Sequence, residues 1–227
     1  MNFELSNRLR TCLEFLSGFE SIADIGTDHG LLPAYGILNH HIKTAIAADI
    51  GQGPLQMAKK TISKYHLKDA VQLRLGPGLS VLKAGEVQGA VIAGMGGKLI
   101  CSILGEGLEV AKSCRRLVLQ PNVDAHLIRR ALMGWGFRIV HEALILEDGK
   151  YYEIVVAEPT PVPPVYTEDE LDFGPSLLKN RQDPVFQKYW QEALGKQRLI
   201  LSRLPQGHPK FEGVKQKYDR IQEVLEG

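Results

Sequence analysis

Leu5, Leu9, Leu13 and Leu16 recur at helical spacing, with Ser6 or Asn7 placed to open the helix they predict. After that helix the apolar runs become short. Ser21-Ile22-Ala23-Asp24-Ile25, Thr44 to Asp49, Val71 to Leu75, Ala90 to Ala93 and Arg116 to Gln120 have the length and composition of buried strands. Helical stretches separate them, from about Leu31 to Asn39, Pro54 to Tyr65, onward from about Lys98, and from beyond Pro121 to about Trp135. Pro33 is tolerable because it falls in a first turn. Phe137 to Leu146 and Tyr151 to Ala157 predict two closing strands, and the Asp148-Gly149 pair between them is a hairpin signal.

Strands alternating with helices at this spacing predict an α/β fold: a mostly parallel seven-stranded sheet, helices on both faces, and an antiparallel hairpin at one edge. Four prolines in Glu158-Pro159-Thr160-Pro161-Val162-Pro163-Pro164 form a stiff linker. The expected division is therefore a core over 1–158, a linker over 159–166 and a helical region over 167–227. In that last region Phe186, Tyr189, Trp190, Ala193 and Leu194 are helically spaced. Pro205-Gln206-Gly207-His208-Pro209 interrupts, and Phe211, Val214, Tyr218, Ile221 and Val224 resume. The pattern is that of a helical hairpin with one apolar seam.

Composition narrows the class. The 227 residues include 44% hydrophobic and 23% charged residues, ordinary for a folded chain and wrong for a disordered one. No apolar run approaches the roughly 18–20 residues of a membrane span, and Glu4, Arg8, Arg10 and Glu14 spoil a signal-peptide core. Cys12, Cys101 and Cys114 are too scattered for a disulfide framework or a cysteine zinc site, so a cytosolic protein is expected. His40-His41 lacks a third ligand at a recognisable spacing, and no metal is expected. The formal charge is only +1, but it is uneven: Lys59, Lys60, Lys64 and Lys68 form one basic stretch, and Lys179 to Arg220 a second. Such patches permit a polyanionic partner without requiring one.

The chemistry concentrates in loops after strands, where ligands of such sheets gather. In Ala23-Asp24-Ile25-Gly26-Thr27-Asp28-His29-Gly30, spaced glycines let the backbone turn tightly near a ligand. A dinucleotide fingerprint would place glycines where Asp28 and His29 stand. A carboxylate there repels phosphate but suits a cationic amino group, such as the methionine end of S-adenosylmethionine. Asp49 ends the second strand roughly 20 residues after Gly30, where an acid can accept ribose hydroxyls. Asp49 by itself favours an adenosine ligand without separating a nicotinamide cofactor from S-adenosylmethionine.

These loops, together with Ala93-Gly94-Met95-Gly96-Gly97-Lys98 and Gln120-Pro121-Asn122, closely resemble the bacterial tRNA (adenine-N1)-methyltransferases that modify adenine 22. The resemblance extends from Leu5 through Lys150-Tyr151-Tyr152-Glu153-Ile154 and more loosely into the tail. It implies a class I, Rossmann-like methyltransferase core with a coiled-coil-like helical domain, S-adenosylmethionine as cofactor and tRNA as partner. It also implies site roles. Asp24, Gly26, Thr27, Asp28, His29 and Gly30 would form the methionine end of the cofactor site. Asp49 would hold the ribose, with Ile50, Gly76 and Gly78 near the adenine, and Ala93, Gly94, Met95, Gly96 and Gly97 would pass beneath the methyl. Pro77 stands where many such enzymes keep a polar adenine contact, and the Asn/Asp-Pro-Pro-aromatic motif of other adenine-N methyltransferases is absent. Asp28 and Asn122 are the candidate proton acceptors. Arg8, Arg10, Lys188, Lys196 and Arg203 are the candidate RNA contacts. The alternatives are another RNA methyltransferase, a nicotinamide-dependent oxidoreductase, or a non-catalytic RNA-binding module.

Overall fold

The structure is a computed structural model that describes residues 4–205 and 207–227. Helix α1 (Asn7–Glu14) opens the described fold, with the Ser6 hydroxyl accepting from the Leu9 amide. Then come β1 (Ser21–Ile25), α2 (Leu31–Asn39), β2 (Thr44–Asp49), α3 (Gln52–Lys64) and β3 (Val71–Leu75). After a 3-10 turn at Gly78–Val81 follow β4 (Gly89–Gly96), α4 (Gly97–Glu106), α5 (Leu108–Ser113), β5 (Arg116–Val123) and α6 (Ala125–Gly134). The hairpin β6 (Phe137–Glu147) and β7 (Lys150–Pro159) completes one seven-stranded sheet, ordered β3-β2-β1-β4-β5-β7-β6. The pairings from β3 to β5 are parallel, and β7 lies antiparallel between β5 and β6.

Strand residues alternate between two cores, as strands covered on both faces must. Ile22, Ala45, Ala47, Val91 and Val118 pack with α1, α2 and α3 through Leu13, Leu32 and Ile62. Ala23, Ile25, Ile92, Leu117 and Leu119 pack with α4, α5 and α6 through Ile100, Ala111 and Ile128. By the same alternation Asp24 falls on the α1–α3 face, the one polar residue of an otherwise apolar β1 interior.

Two strands outrun the sequence expectation. β4 continues past Ala93 to Gly96, and β5 continues through Pro121 to Val123. Register shifts at Ala93/Met95 and Met95/Gly96 absorb the irregularity. Gly94, at φ 77°, bulges instead of ending the strand, and a bulge also accommodates a proline without a ladder N–H.

The tail holds more than a hairpin. α7 (Glu168–Phe173) and α8 (Pro175–Lys179) precede α9 (Pro184–Arg203) and α10 (Phe211–Glu226), whose seam contains Phe186, Ile221 and Val224. Of the interrupting segment, Gln206 lies outside the described residues. α7 and α8 are anchored to the core by Arg129, which is fully buried on α6. Its guanidinium bonds Glu142 and Glu153 and approaches the carbonyls of Leu171 and Asp172, while Glu142 also accepts from the Ser176 amide at 2.8 Å. Burial pushes the Glu142 carboxyl up, opposed by Arg129 and the Ser176 amide. Burial also works to lower Arg129, but the two carboxylates overcome it and hold the guanidinium charged.

Candidate functional site

The strand order turns outward in both directions from the β1–β4 pair, so the loops leaving the carboxyl ends of β1, β2, β4 and β5 meet at one edge of the sheet. At β1, the amides of Gly26 and Thr27 both donate to the Ala48 carbonyl at 2.8 Å. This fixes the first loop against β2. Gly26 has φ 78°, and a β-carbon there would strike the terminal methyl of Met95 at 2.0 Å. The first loop and the β4 loop therefore close on each other, and the positive φ at Gly26 favours glycine there. A methionine thioether is the kind of side chain that can rotate aside to admit a ligand.

Asp24 is buried below this turn and accepts from the Thr27 hydroxyl at 2.6 Å. Burial pushes its carboxyl up to about 6; the Thr27 bond opposes that push, and the neighbouring Asp49 and Asp28 add to it. Asp28 is instead exposed, with His29 Nε2 3.1 Å from its Oδ1. At β2, Asp49 Oδ1 accepts from the Gly51 amide at 2.7 Å, and the Asp49 carbonyl accepts from Gly76 at 3.0 Å. Ile50 and Leu75, the latter paired in register with Asp49, are exposed at 74% and 54%. Such solvent-facing aliphatics beside an acid suit the base and ribose of a nucleoside. With the buried carboxylate Asp24, whose pKa burial raises, and the acid Asp28 at the other end, the donor set fits a cationic amino acid joined to adenosine.

A second set of contacts joins the ends of β4 and β5. Gln120 is fully buried, and its Oε1 accepts from the Gly94 amide at 3.1 Å and from the Arg8 guanidinium. Its Nε2 donates to the Pro121 carbonyl. Asn122 is exposed, and its Nδ2 donates to the Gly94 carbonyl at 2.8 Å. Both polar groups of the Gly94 residue are thus held from β5. Gly97 lies just beyond, where a β-carbon would come 2.4 Å from the Asp124 carbonyl oxygen. Gly96 is not crowded, with Val123 Cγ2 at 3.9 Å its nearest neighbour.

Arg8 also lies over the Tyr152 ring at 5.3 Å, and the amides of Asn7 and Arg8 donate to the Glu147 carboxylate. Its guanidinium is accordingly held at the β4–β5 junction, while the residue stays partly exposed. Arg10 is exposed and bonds Asn7. Lys188, Lys196 and Arg203 all lie exposed on α9, within one face by helical spacing. Sequence reading missed Gln120 and Leu75 as site residues. The available signal for Gln120 was a lone amide closing the apolar run Leu117-Val118-Leu119. Among the described residues no cluster of three or more His, Cys, Asp or Glu could hold a metal, and no helix is long and apolar enough to cross a membrane.

Comparison with known proteins agrees with this geometry. A family model, TrmK, described as tRNA (adenine(22)-N(1))-methyltransferase, matches residues 22–226. The tRNA (adenine(22)-N(1))-methyltransferase of Bacillus subtilis (strain 168) is 37% identical over 98% of this chain and 94% of its own. The structure of Streptococcus pneumoniae Sp1610 in complex with S-adenosyl-L-methionine is 36% identical, covers 98% of this chain and 100% of its own, and superposes with a TM-score of 0.90. M. capricolum TrmK in complex with S-adenosyl-homocysteine is 25% identical over 99% of both chains, with a TM-score of 0.88.

Proposed function

This chain belongs to the tRNA (adenine(22)-N(1))-methyltransferase family, and from that premise we propose how its own residues carry methyl transfer to N1 of adenine 22. The enzyme is S-adenosylmethionine-dependent, and the bound cofactor supplies an electrophilic sulfonium methyl. The observation that carries the residue assignment is the junction of four strand-end loops around Asp24, Asp49, Gly94 and Asn122.

Asp24 and Asp28, with the turn Gly26-Thr27-His29-Gly30, receive the cationic methionine end. Asp49 receives the ribose, and Ile50, Leu75, Gly76 and Gly78 line the adenine. Ala93 to Gly97 form the floor under the methyl. Adenine N1 carries an in-plane lone pair, so alignment within this cleft supplies most of the acceleration and no base is needed for attack. N1 lies on the pairing edge, so the adenine enters unpaired or extruded. The methylated ring then sheds an amino proton. Asn122, whose Nδ2 is committed to Gly94, offers its Oδ1 to that amino group; Asp28, exposed at the rim, accepts the proton.

The core over 1–158 binds cofactor, and the helices of 167–227 bind tRNA through Lys188, Lys196 and Arg203 on α9. A tRNA substrate supports a cytoplasmic enzyme. The decisive experiment incubates the full chain with unmodified tRNA and S-adenosylmethionine and maps the modified nucleotide by mass spectrometry. Methylation at N1 of adenine 22 is expected; transfer only to another nucleotide would end the assignment.

A further inference from the structure

A cavity of about 560 Å³ lies where β7 and α6 meet the α9–α10 hairpin, away from the cofactor loops. Its wall carries Tyr151, Tyr189 and Trp190, and Lys196 and Lys217 stand among its lining residues. A second cavity of about 170 Å³ shares Asp124, Tyr151, Glu153 and Tyr189 with it and reaches Pro121 and Asn122. The two form one groove, running from the residue that holds Gly94 to the basic helix of the tail. We propose that this groove is a nucleotide-binding site that takes the base adjoining the target adenine in the bound tRNA strand.

Two properties point to that ligand. The volume falls in the range of small-molecule pockets, roughly 300–1,000 Å³, which a single nucleoside fills. The wall is aromatic: the Tyr151 and Tyr189 rings are 5.0 Å apart at 54°, and Tyr189 and Trp190 are 4.9 Å apart at 69°. Extruding an adenine strips its neighbour of a stacking partner, and aromatic side chains replace such partners for unpaired bases.

The lining charges are mixed. Of the four lining acids, Glu153 is paired with Arg129 and Asp172 with Arg130 and Arg220, while Asp124 and Glu192 make no ion pair among the described residues, Glu192 accepting from the Tyr151 hydroxyl at 2.8 Å. Lys196 and Lys217 make no ion pair among the described residues and remain available to the phosphates on either side of the base.

This site rests on the methyl-transfer reading, and the test separates the two. Trp135 and Trp190 are the two tryptophans of the chain, so Trp135→Phe leaves Trp190 as the sole indole reporter. Titration of that variant with unmodified tRNA should change Trp190 emission saturably. Tyr151→Leu should remove that change and raise KM for tRNA about tenfold or more, the scale of one lost base stack. Calorimetric affinity for S-adenosylmethionine and the melting temperature should stay near wild type, and Tyr151→Phe should restore KM. If the enzyme methylates adenine 22 while emission is indifferent to tRNA and Tyr151→Leu keeps a wild-type KM, the groove proposal is overturned and the parent reading survives. If adenine 22 is not methylated at all, both fall.

Discussion

Gln120 holds Gly94 from beneath: its buried Oε1 accepts from the Gly94 amide at 3.1 Å, and Arg8 fixes the same oxygen from the other side. The bulge that we propose lies under the reacting methyl is thus shaped by a side chain of the neighbouring strand. Gln120→Leu keeps the volume but leaves the Gly94 N–H and Arg8 unpaired, a loss of about 1–3 kcal/mol. Turnover should fall roughly tenfold for each 1.4 kcal/mol of lost loop alignment, with cofactor affinity nearly unchanged. Gln120→Glu keeps the acceptor and should recover most of kcat. Equal kcat for Gln120→Leu and wild type would show that the grip does not set the loop.

Asp24 gives a pH signature. Its pKa in the folded protein is raised from an ordinary 3.8 to about 6, so folding favours the protonated form. The stabilisation is fully present below about pH 4 and is lost as pH rises through 6, a swing of roughly 3 kcal/mol. Asp24→Asn does not titrate. Without cofactor it should therefore melt higher than wild type at pH 8, with the difference shrinking toward pH 4. A cationic ligand reverses the preference, so wild-type affinity for S-adenosylmethionine should rise as pH is raised from 5 to 7 and that of Asp24→Asn should stay low and flat. Parallel melting curves for the two proteins across this range would contradict the assignment.

Asp49 is expected to bind the ribose hydroxyls. Asp49→Ala removes that acceptor and the Gly51 anchor together, and should cost about 1–3 kcal/mol of cofactor binding. Asp49→Asn keeps an oxygen for Gly51 and should lose less. Calorimetry on both variants checks the order, and unchanged affinity in Asp49→Ala would remove Asp49 from the site.

Gly96 and Gly97 are adjacent but not equivalent. Alanine at 97 would press its β-carbon to 2.4 Å from the Asp124 carbonyl oxygen, so α4 or the start of α6 must shift, at roughly 1–3 kcal/mol. Alanine at 96 meets nothing closer than 3.9 Å and should stay within about 0.5 kcal/mol of wild type. Urea unfolding of the two single variants, with kcat measured alongside, gives a direct comparison.

The tail prediction is best tested by charge. Because Arg129 ties α7 and α8 into the core, cutting the chain after Glu158 would expose a buried guanidinium and its two carboxylates. Reversing Lys188, Lys196 and Arg203 to glutamate leaves the Phe186–Ile221–Val224 seam intact. tRNA affinity should fall and its salt dependence flatten, with cofactor affinity preserved. Wild-type binding across a salt series would move the RNA contact elsewhere.

The sheet was readable in the sequence because its strands are short apolar runs bounded by glycine and polar loops, and the Asp148-Gly149 hairpin lies where its turn signal stood. α7 and α8 escaped periodicity because neither is long enough to repeat a helical stripe; the readable sign was local, the Thr167–Glu170 capping box. Arg129 and Arg130 are neighbours in sequence, yet one is fully buried and the other partly exposed. Nothing local distinguishes them, since the carboxylates that decide the matter arrive 13 and 24 residues later. The partners of Arg8 were not readable for the same reason. Its partners Gln120, Tyr152 and Glu147 are distant in sequence and meet it only through the sheet order.

That distance also has a consequence in time. The amide of Asn7 is held by Glu147, 140 residues further along the chain. At roughly 5–20 residues per second of synthesis, about 7–30 s separate the emergence of α1 from that of the carboxylate that seats it. During that interval the β4 bulge has neither Arg8 in place nor, until β5 follows, Gln120. The N-terminal end of α1 therefore gains its Glu147 anchor only after the final hairpin has been made, although its apolar face can pack on β1 and α2 well before then.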